Sequence, residues 1–225
     1  MPERRPIDRS RLGQSYHRGI VPIDPGQPIR TVIANAYPEY KSFRLKTGRH
    51  ILYDELDIDL DGVVLYGDWA TELVLYSAGS RITLSGEGSG LVGPRVVRDD
   101  LIHATDMVRM TGHYSRVQDV LFGDPDDGAT YYPLHVVGAY NVQVLDNVFR
   151  TETIISKLTT HVYADNASLY GHYCGNHLGR YTGAGPARRL ISVQSAGFHE
   201  AGQTSNAPGA TYRSYSNYAD VAVRL

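Results

Sequence analysis

Two stretches decide the fold: Val117-Gln118-Asp119-Val120-Leu121-Phe122 and Val144-Leu145-Asp146-Asn147-Val148-Phe149. Val, Asp and Phe recur between them at a separation of 27 residues. Met110 and Val137 share that offset, and each is followed by a Gly (Gly112, Gly138) and a Tyr (Tyr114, Tyr140). Tyr173-Cys174-Gly175-Asn176-His177-Leu178 reads as a weaker third copy. A fixed period in the twenties, with one supersecondary unit per repeat, is the mark of a solenoid. One coil cannot bury its own apolar face, so neighbours must stack on it. The spacing predicts strand–turn–strand–turn in each coil, with Val, Leu and Phe in ladders along the axis. About 180 residues would make roughly seven or eight such coils.

The same texture extends towards the N-terminus. Short apolar runs such as Phe43-Arg44-Leu45, Val63-Val64-Leu65-Tyr66, Leu73-Val74-Leu75-Tyr76 and Arg81-Ile82-Thr83-Leu84 are broken by Gly, Asp and Ser. The gaps are too short for crossover helices, which argues against a βαβ sheet. Only Asp61-Gly62 and Asp127-Gly128 offer the two-residue turn chemistry that a hairpin sandwich would favour. Before these runs, Ile29, Val32, Ile33 and Ala36 fall at i, i+3, i+4 and i+7, one apolar face of a short helix ended by Pro38.

Two segments carry a family likeness. Ile29 to Asp68 offers a capping helix, then Phe43-Arg44-Leu45-Lys46-Thr47-Gly48, then strands ending in Gly67-Asp68. Asn141-Val142-Gln143-Val144-Leu145-Asp146-Asn147-Val148-Phe149 matches a coil pattern N-V-x-I-x-x-N-x-F. Over about residues 29–180 the chain resembles the right-handed parallel β-helix, or pectin-lyase-like, superfamily. The resemblance implies an all-β fold, a single-stranded right-handed parallel β-helix with an N-terminal capping helix and an extended N-terminal arm. Residues 1–28 would form the arm and 29–225 the solenoid. The cap helix would span about 29–37, the coils about 43–180, and looser coils 181–225. Members of that superfamily include polysaccharide lyases, hydrolases and epimerases, viral tailspikes, and tailspike-like proteins on phage capsids.

Composition narrows the function. Lys+Arg is 22 and Asp+Glu 24 over 225 residues, for a net charge of -2, so the chain as a whole is not a basic nucleic-acid binder. The one cysteine, Cys174, excludes an intrachain disulfide, and it reads as a buried inert thiol. No apolar run approaches the roughly 20 residues of a membrane helix. The start, Met1-Pro2-Glu3-Arg4-Arg5-Pro6-Ile7-Asp8-Arg9, has no apolar h-region and reads as lacking a secretory signal. Residues 1–28 hold five of the eleven prolines, and set Arg4, Arg5, Arg9, Arg11 and Arg18 against Glu3, Asp8 and Asp24. Proline suits neither a helix nor a central strand. The segment is either a loose terminus or an arm that docks on another chain.

Candidate chemistry is sparse. The densest acidic group is Asp119, Asp124, Asp126 and Asp127, the last three in a loop between two repeats. By alternation Asp119 points outward beside an inward Val. Glycan-cleaving β-helices need convergent carboxylates, or a base with a cation. A lyase would use an arginine base such as Arg109 and an aspartate set for calcium. Calcium belongs to that alternative alone; otherwise no cofactor and no metal is expected. The resemblance's hydrolase pattern, Gly-His-Gly with Arg-Ile-Lys, is missing: Thr111-Gly112-His113-Tyr114 and Tyr170-Gly171-His172-Tyr173 keep only a Gly-His pair. Asp-Pro and Asp-Gly are also ordinary turn chemistry. Seventeen tyrosines exceed what one core buries, since each hydroxyl needs a partner. Tyr163, Tyr170, Tyr173, Tyr212, Tyr215 and Tyr218 are expected at a sugar-stacking groove or a subunit interface.

Together these features lead to an expected virion structural protein. It would be a trimeric, tailspike-like capsid decoration or spike protein at the virion surface, assembled in the host cytoplasm and anchored by its basic arm. Its partners would be a major capsid or other virion protein and a surface polysaccharide, without nucleic acid or membrane insertion. The alternatives are a polysaccharide lyase or depolymerase and a non-catalytic glycan-binding adhesin.

Overall fold

The computed structural model describes residues 19–98, 104–124, 130–151, 160–165, 167–178, 189–193, 199–201 and 204–205. Strand β1 (Val21–Ile23) and helix α1 (Ile29–Ala36) come first. The chain then winds in triplets of short strands. The first two are β2 (Ser42–Leu45), β3 (Gly48–Leu52), β4 (Leu56–Ile58) and β5 (Val64–Tyr66), β6 (Thr71–Leu75), β7 (Ile82–Leu84). The next are β8 (Gly90–Val92), β9 (Arg95–Arg98), β10 (Ala104–Met110) and β11 (Arg116–Gln118), β12 (Leu121–Asp124), β13 (Thr130–Val136). Then follow β14 (Gln143–Leu145), β15 (Val148–Thr151), β16 (Thr160–Ala164) and β17 (His172–Cys174), β18 (His177–Leu178), β19 (Arg189–Val193). A further coil begins with β20 (His199–Ala201) and β21 (Thr204–Ser205).

Among the described residues, equivalent strands of successive coils pair in parallel into three sheets of 8, 7 and 6 strands. Each coil therefore has three strands, not two as the repeat length suggested. The 27-residue offset is real between these two coils in the first two sheets, where Val117 pairs with Val144 and Phe122 with Phe149, while Leu91 pairs with Val117 and Val144 with Tyr173 at 26 and 29. In the third sheet Met110 pairs with Val136, and Val137 only donates its N–H to the Met110 carbonyl at 2.9 Å. The offset is one shorter there because the turn from β13 to β14 holds one residue more than the turn from β10 to β11. The third copy holds as well: Tyr173 pairs with Val144 and Leu178 with Phe149 along the strands.

Inward side chains run as ladders. Phe43, Leu65, Leu91, Val117, Val144 and Tyr173 form one in the first sheet. Leu56, Ile82, Val108, Leu134 and Val162 form another in the third. Phe122 and Phe149 stack with ring centroids 4.7 Å apart, 8° from parallel. Each such buried side chain is worth about 1.5–3 kcal/mol over an exposed one. Tyr173, expected at a groove or interface, is instead a fully buried rung of the first ladder. Gly171 makes room for it, since a Cβ there would meet the Tyr173 ring at 2.5 Å. Burial pushes its hydroxyl pKa up, and the charge of Asp165 adds to the shift. Cys174, the next residue, is half-buried rather than in the core.

The corner between the first and second sheets repeats a left-handed residue: Gly93, Asp119, Asp146 and Gly175. The N–H groups of Gly93, Asp119 and Asp146 donate to carbonyls of the next coil at 2.9–3.1 Å. Beside this corner Asn147 and Asn176 are buried and linked, Asn147 Nδ2 to Asn176 Oδ1, at 2.9 Å.

The N-terminal end is closed by β1 and α1. The part of the expected arm from residue 19 on is therefore not free. Ile23 pairs with Leu45 and is fully buried, while Ile29 and Ile33 of α1 cover the first coil. Pro22 is tolerated because β1 is an edge strand. Among the described residues, no helix is long and apolar enough to cross a membrane.

Candidate functional site

The third sheet presents a polar outer row. Between the inward ladders lie Asp57, Thr83, Arg109, His135 and Tyr163, one on each successive coil. In β10 the strict alternation slips, because Met107 and Val108 are both buried, as are Pro133 and Leu134 alongside. The slip brings Asp106 to the same side as Arg109.

Asp106 is 1% exposed and gathers three basic groups. Arg109 Nε donates to its Oδ2 at 2.7 Å. His135 Nδ1 lies 3.3 Å from the same oxygen, and Arg81 Nη1 donates to Oδ1 at 3.4 Å. Arg81 continues the network with Nε 3.1 Å from Glu55 Oε1, which also accepts the Thr83 hydroxyl. The His135 ring faces Tyr163, centroid to centroid 5.2 Å at 45°. Beneath the cluster, fully buried Arg98 donates to the carbonyls of Ser77, Ser80 and Asp106 at 3.1–3.2 Å. That arginine ties the corner at 77–80 to the Asp106 backbone, so the carboxylate is fixed from below as well as from its sides.

The electrostatics follow. Burial pushes the Asp106 pKa up, but hydrogen bonds from His135 and Arg109, and the charges of Arg109 and Arg81, outweigh it. Its carboxyl lies below the ordinary value of 3.8. A carboxylate held this firmly ionised is a poor proton donor. It is a good anchor: it aligns two guanidinium groups and an imidazole, each still partly exposed, on the outer face. Such fixed donors suit a carboxylate, sulfate or hydroxyl-rich ligand.

Of the expected catalytic residues whose side chains are described, Arg109 comes to this place and Asp119 does not. Asp119 sits at a different corner, between the first and second sheets, in a left-handed turn (φ 54°). Its side chain is exposed and its carbonyl accepts Trp69 Nε1 at 2.9 Å, so it is a corner residue and not a partner of Arg109. Asp124 ends β12, far along the second sheet, and its side chain lies outside the described residues, as do Asp126 and Asp127. Any calcium set built from them lies there too. Among the described residues, no three His, Cys, Asp or Glu side chains converge as a metal would require. Tyr163 belongs to the outer row, and Tyr170 is an exposed corner residue. Tyr212, Tyr215 and Tyr218, and the arm residues Arg4, Arg5, Arg9, Arg11 and Arg18, lie outside the described residues.

Asp106, Arg81 and His135 were missed. A signal was available: Ile82-Thr83-Leu84, Val108-Arg109-Met110 and Leu134-His135-Val136 share one apolar–polar–apolar pattern at intervals of 26. Aligning the repeat on 27 residues hides it.

No protein-family model matches the chain, and no curated protein sequence does either. Solved structures do. The catalytic domain of GH87 alpha-1,3-glucanase in complex with nigerose superposes with a TM-score of 0.59 at 10% identity, covering 85% of this chain and 36% of that one. An aspartate-to-alanine variant of that domain in complex with tetrasaccharides gives a TM-score of 0.60 at 11% identity, covering 85% and 39%. The chain thus spans well under half the length of these neighbours. At such identity the likeness concerns the course of the backbone, and together with the three-sheet coil it makes this chain a right-handed parallel β-helix.

Proposed function

We propose that this protein binds an anionic glycan on the outer face of its third sheet without cleaving it. The observation that carries this reading is the commitment of Asp106 to Arg81, Arg109 and His135. An inverting or retaining hydrolase needs a second carboxylic acid able to give up a proton. Asp106 is held in the opposite state, and Glu55 is engaged by Arg81 and Thr83. Besides the Glu55 carboxylate, which Arg81 and Thr83 engage, the groups the cluster offers outward are donors and cations. Solved neighbours of the same fold were captured with sugars bound, which supports a carbohydrate ligand. The setting we propose is the surface of a virus particle. A trimer of the chain is held there as a decoration or short spike by the basic, proline-rich segment before β1. Support for that setting is the sequence of residues 1–28 together with the fold.

Polygalacturonate and alginate, titrated into the full chain at low salt, test the binding reading. Affinity is expected to fall as salt rises, because exposed cations are screened. Arg109→Ala should weaken it about tenfold, the loss of one charge-assisted contact. Unchanged affinity in that variant overturns the assignment. Absorbance from new unsaturated ends during the same incubation would reinstate the lyase, with Arg109 as its base. Light scattering of the pure protein tests the trimer, and a monomer counts against the particle setting.

A further inference from the structure

The corner joining the third sheet to the first carries an exposed aromatic column. At one position of this corner, successive coils place Gly62, Gly88, Tyr114, Asn141 and Tyr170, with φ of 70°, 67°, 57°, 54° and 56°. The N–H groups of the first four donate to carbonyls of the next coil at 2.7–3.0 Å, which fixes the position from coil to coil. The residue before each is Asp61, Glu87, His113, Tyr140 and Leu169. The His113 ring lies 3.8 Å from that of Tyr140, tilted by 33°, and Tyr114 meets Tyr140 edge-on at 5.2 Å. Tyr114 and Tyr170 are 49% and 56% exposed.

The two tyrosines are in the wrong conformation for their type. Glycine takes a left-handed φ freely and Asn tolerates it, whereas another L-residue loses roughly 1–2 kcal/mol. The first two coils use Gly at this position and the later ones do not. Burial does not compensate, since both rings stand about half in water. Strain kept at exposed residues is a pointer to function.

The geometry names a ligand. Coils are stacked about 4.8 Å apart, so Tyr114 and Tyr170, two coils apart, lie roughly 10 Å from each other along the axis. That is close to the two-residue repeat of an extended β-1,4-linked sugar chain, in which every second ring offers the same face. Between them Asn141 provides an amide for hydroxyl groups. We infer that this corner binds an extended β-1,4-linked polysaccharide lying along the solenoid axis, with alternate sugar rings on Tyr114 and Tyr170. The inference rests on the carbohydrate reading above but not on the Asp106 cluster, because stacking requires no charge. Tyr140, propped by His113, widens the platform on the intervening coil.

Neutral probes isolate stacking from charge. Calorimetric titration of the full chain with cellohexaose and β-1,4-mannohexaose is expected to show binding, and with curved maltohexaose at least tenfold weaker binding. Tyr114→Gly and Tyr170→Gly each remove a ring while relieving the left-handed backbone. Each should therefore lower affinity for the two β-1,4 hexasaccharides at least tenfold with Tm unchanged or raised, so that lost binding is not lost folding. The absence of binding to both, or affinity unmoved in both glycine variants, overturns the inference. If Arg109→Ala weakens polygalacturonate binding while the neutral hexasaccharides fail to bind, only the aromatic corner is refuted. Failure of both ligand classes refutes the carbohydrate reading itself.

Discussion

Asp106 is the residue on which the outer face of the third sheet depends. It is buried, yet it stays ionised because Arg109 and Arg81 answer its charge and His135 shares its second oxygen. Asp106→Asn keeps the shape and removes the charge that aligns the two arginines. A loss of about 1–3 kcal/mol in stability is expected from urea denaturation, since Arg109 loses the carboxylate it is bonded to and Arg81 keeps only Glu55 of its two. The variant also tests the sign of the pH dependence. The folded pKa lies below 3.8, so the unfolded chain takes up this proton first as pH falls. The contribution is thus fully present above the ordinary carboxylate range and is lost as pH drops through the lower folded value. In Asp106→Asn that acid-side decline should be shallower than in the parent; an identical decline would assign it to other carboxylates. At this scale the sequence was only partly legible. Arg109 was picked out as a basic residue near an acidic run, but its true partner is three residues away in the same strand, not Asp119 ten residues on. What decides between them is the slip at Met107-Val108, and two adjacent apolar residues look the same in sequence whether a strand slips or continues.

Among elements, the corners explain more than the strands. The strands were readable as short apolar runs, and Val117–Val144 and Phe122–Phe149 fall where the repeat put them. Acidic residues at corners misled, because Asp119 and Asp146 do what Gly93 and Gly175 do in neighbouring coils: they turn left-handed and pass an N–H to the next coil. Asx residues favour that conformation locally, so an aspartate at a corner carries little information about catalysis. The asparagine one residue later is different. Asn147 Oδ1 accepts the Val120 N–H at 3.0 Å, while Nδ2 donates to the Val117 carbonyl at 3.1 Å and to Asn176. Its place was visible in the Asn-x-Phe pattern, but its inward turn was not, since a polar residue in a coil reads as solvent-facing. Asn147→Ala would strand a buried N–H and a buried carbonyl in the coil before and remove the side-chain bond to Asn176 in the coil after, where the residue-147 N–H at 3.2 Å stays. A cost of about 2–4 kcal/mol is expected from chemical denaturation, at about 1–3 kcal/mol per unsatisfied buried group. A cost below about 1 kcal/mol would mean that water enters the corner and takes over the bonds.

For the molecule as a whole, a stack of coils is stable along its length and vulnerable at its ends, where an open coil exposes strand edges and apolar rungs. The N-terminal end is closed from two directions. β1 covers the edge of β2 with Ile23 buried beside Leu45, and α1 lays Ile29 and Ile33 across the coil. The linker between them is fastened too, by the Lys46–Asp24 ion pair at 2.7 Å and the Lys46 N–H to the Ile23 carbonyl at 2.9 Å. Proline content blurred this boundary in the sequence, because Pro22, Pro25 and Pro28 looked continuous with Pro2 and Pro6. The cap and any attachment arm can therefore be separated by where the chain is cut. Removal of residues 1–18 leaves β1 in place, and an unchanged melting temperature with lost particle attachment is expected. Removal of residues 1–28 also strips β1 and bares the β2 edge, and should lower the melting temperature and promote association into larger species by light scattering. If the shorter cut still attaches, the arginines before residue 19 are not the anchor. If the longer cut melts like the parent, α1 alone closes the end and β1 is dispensable.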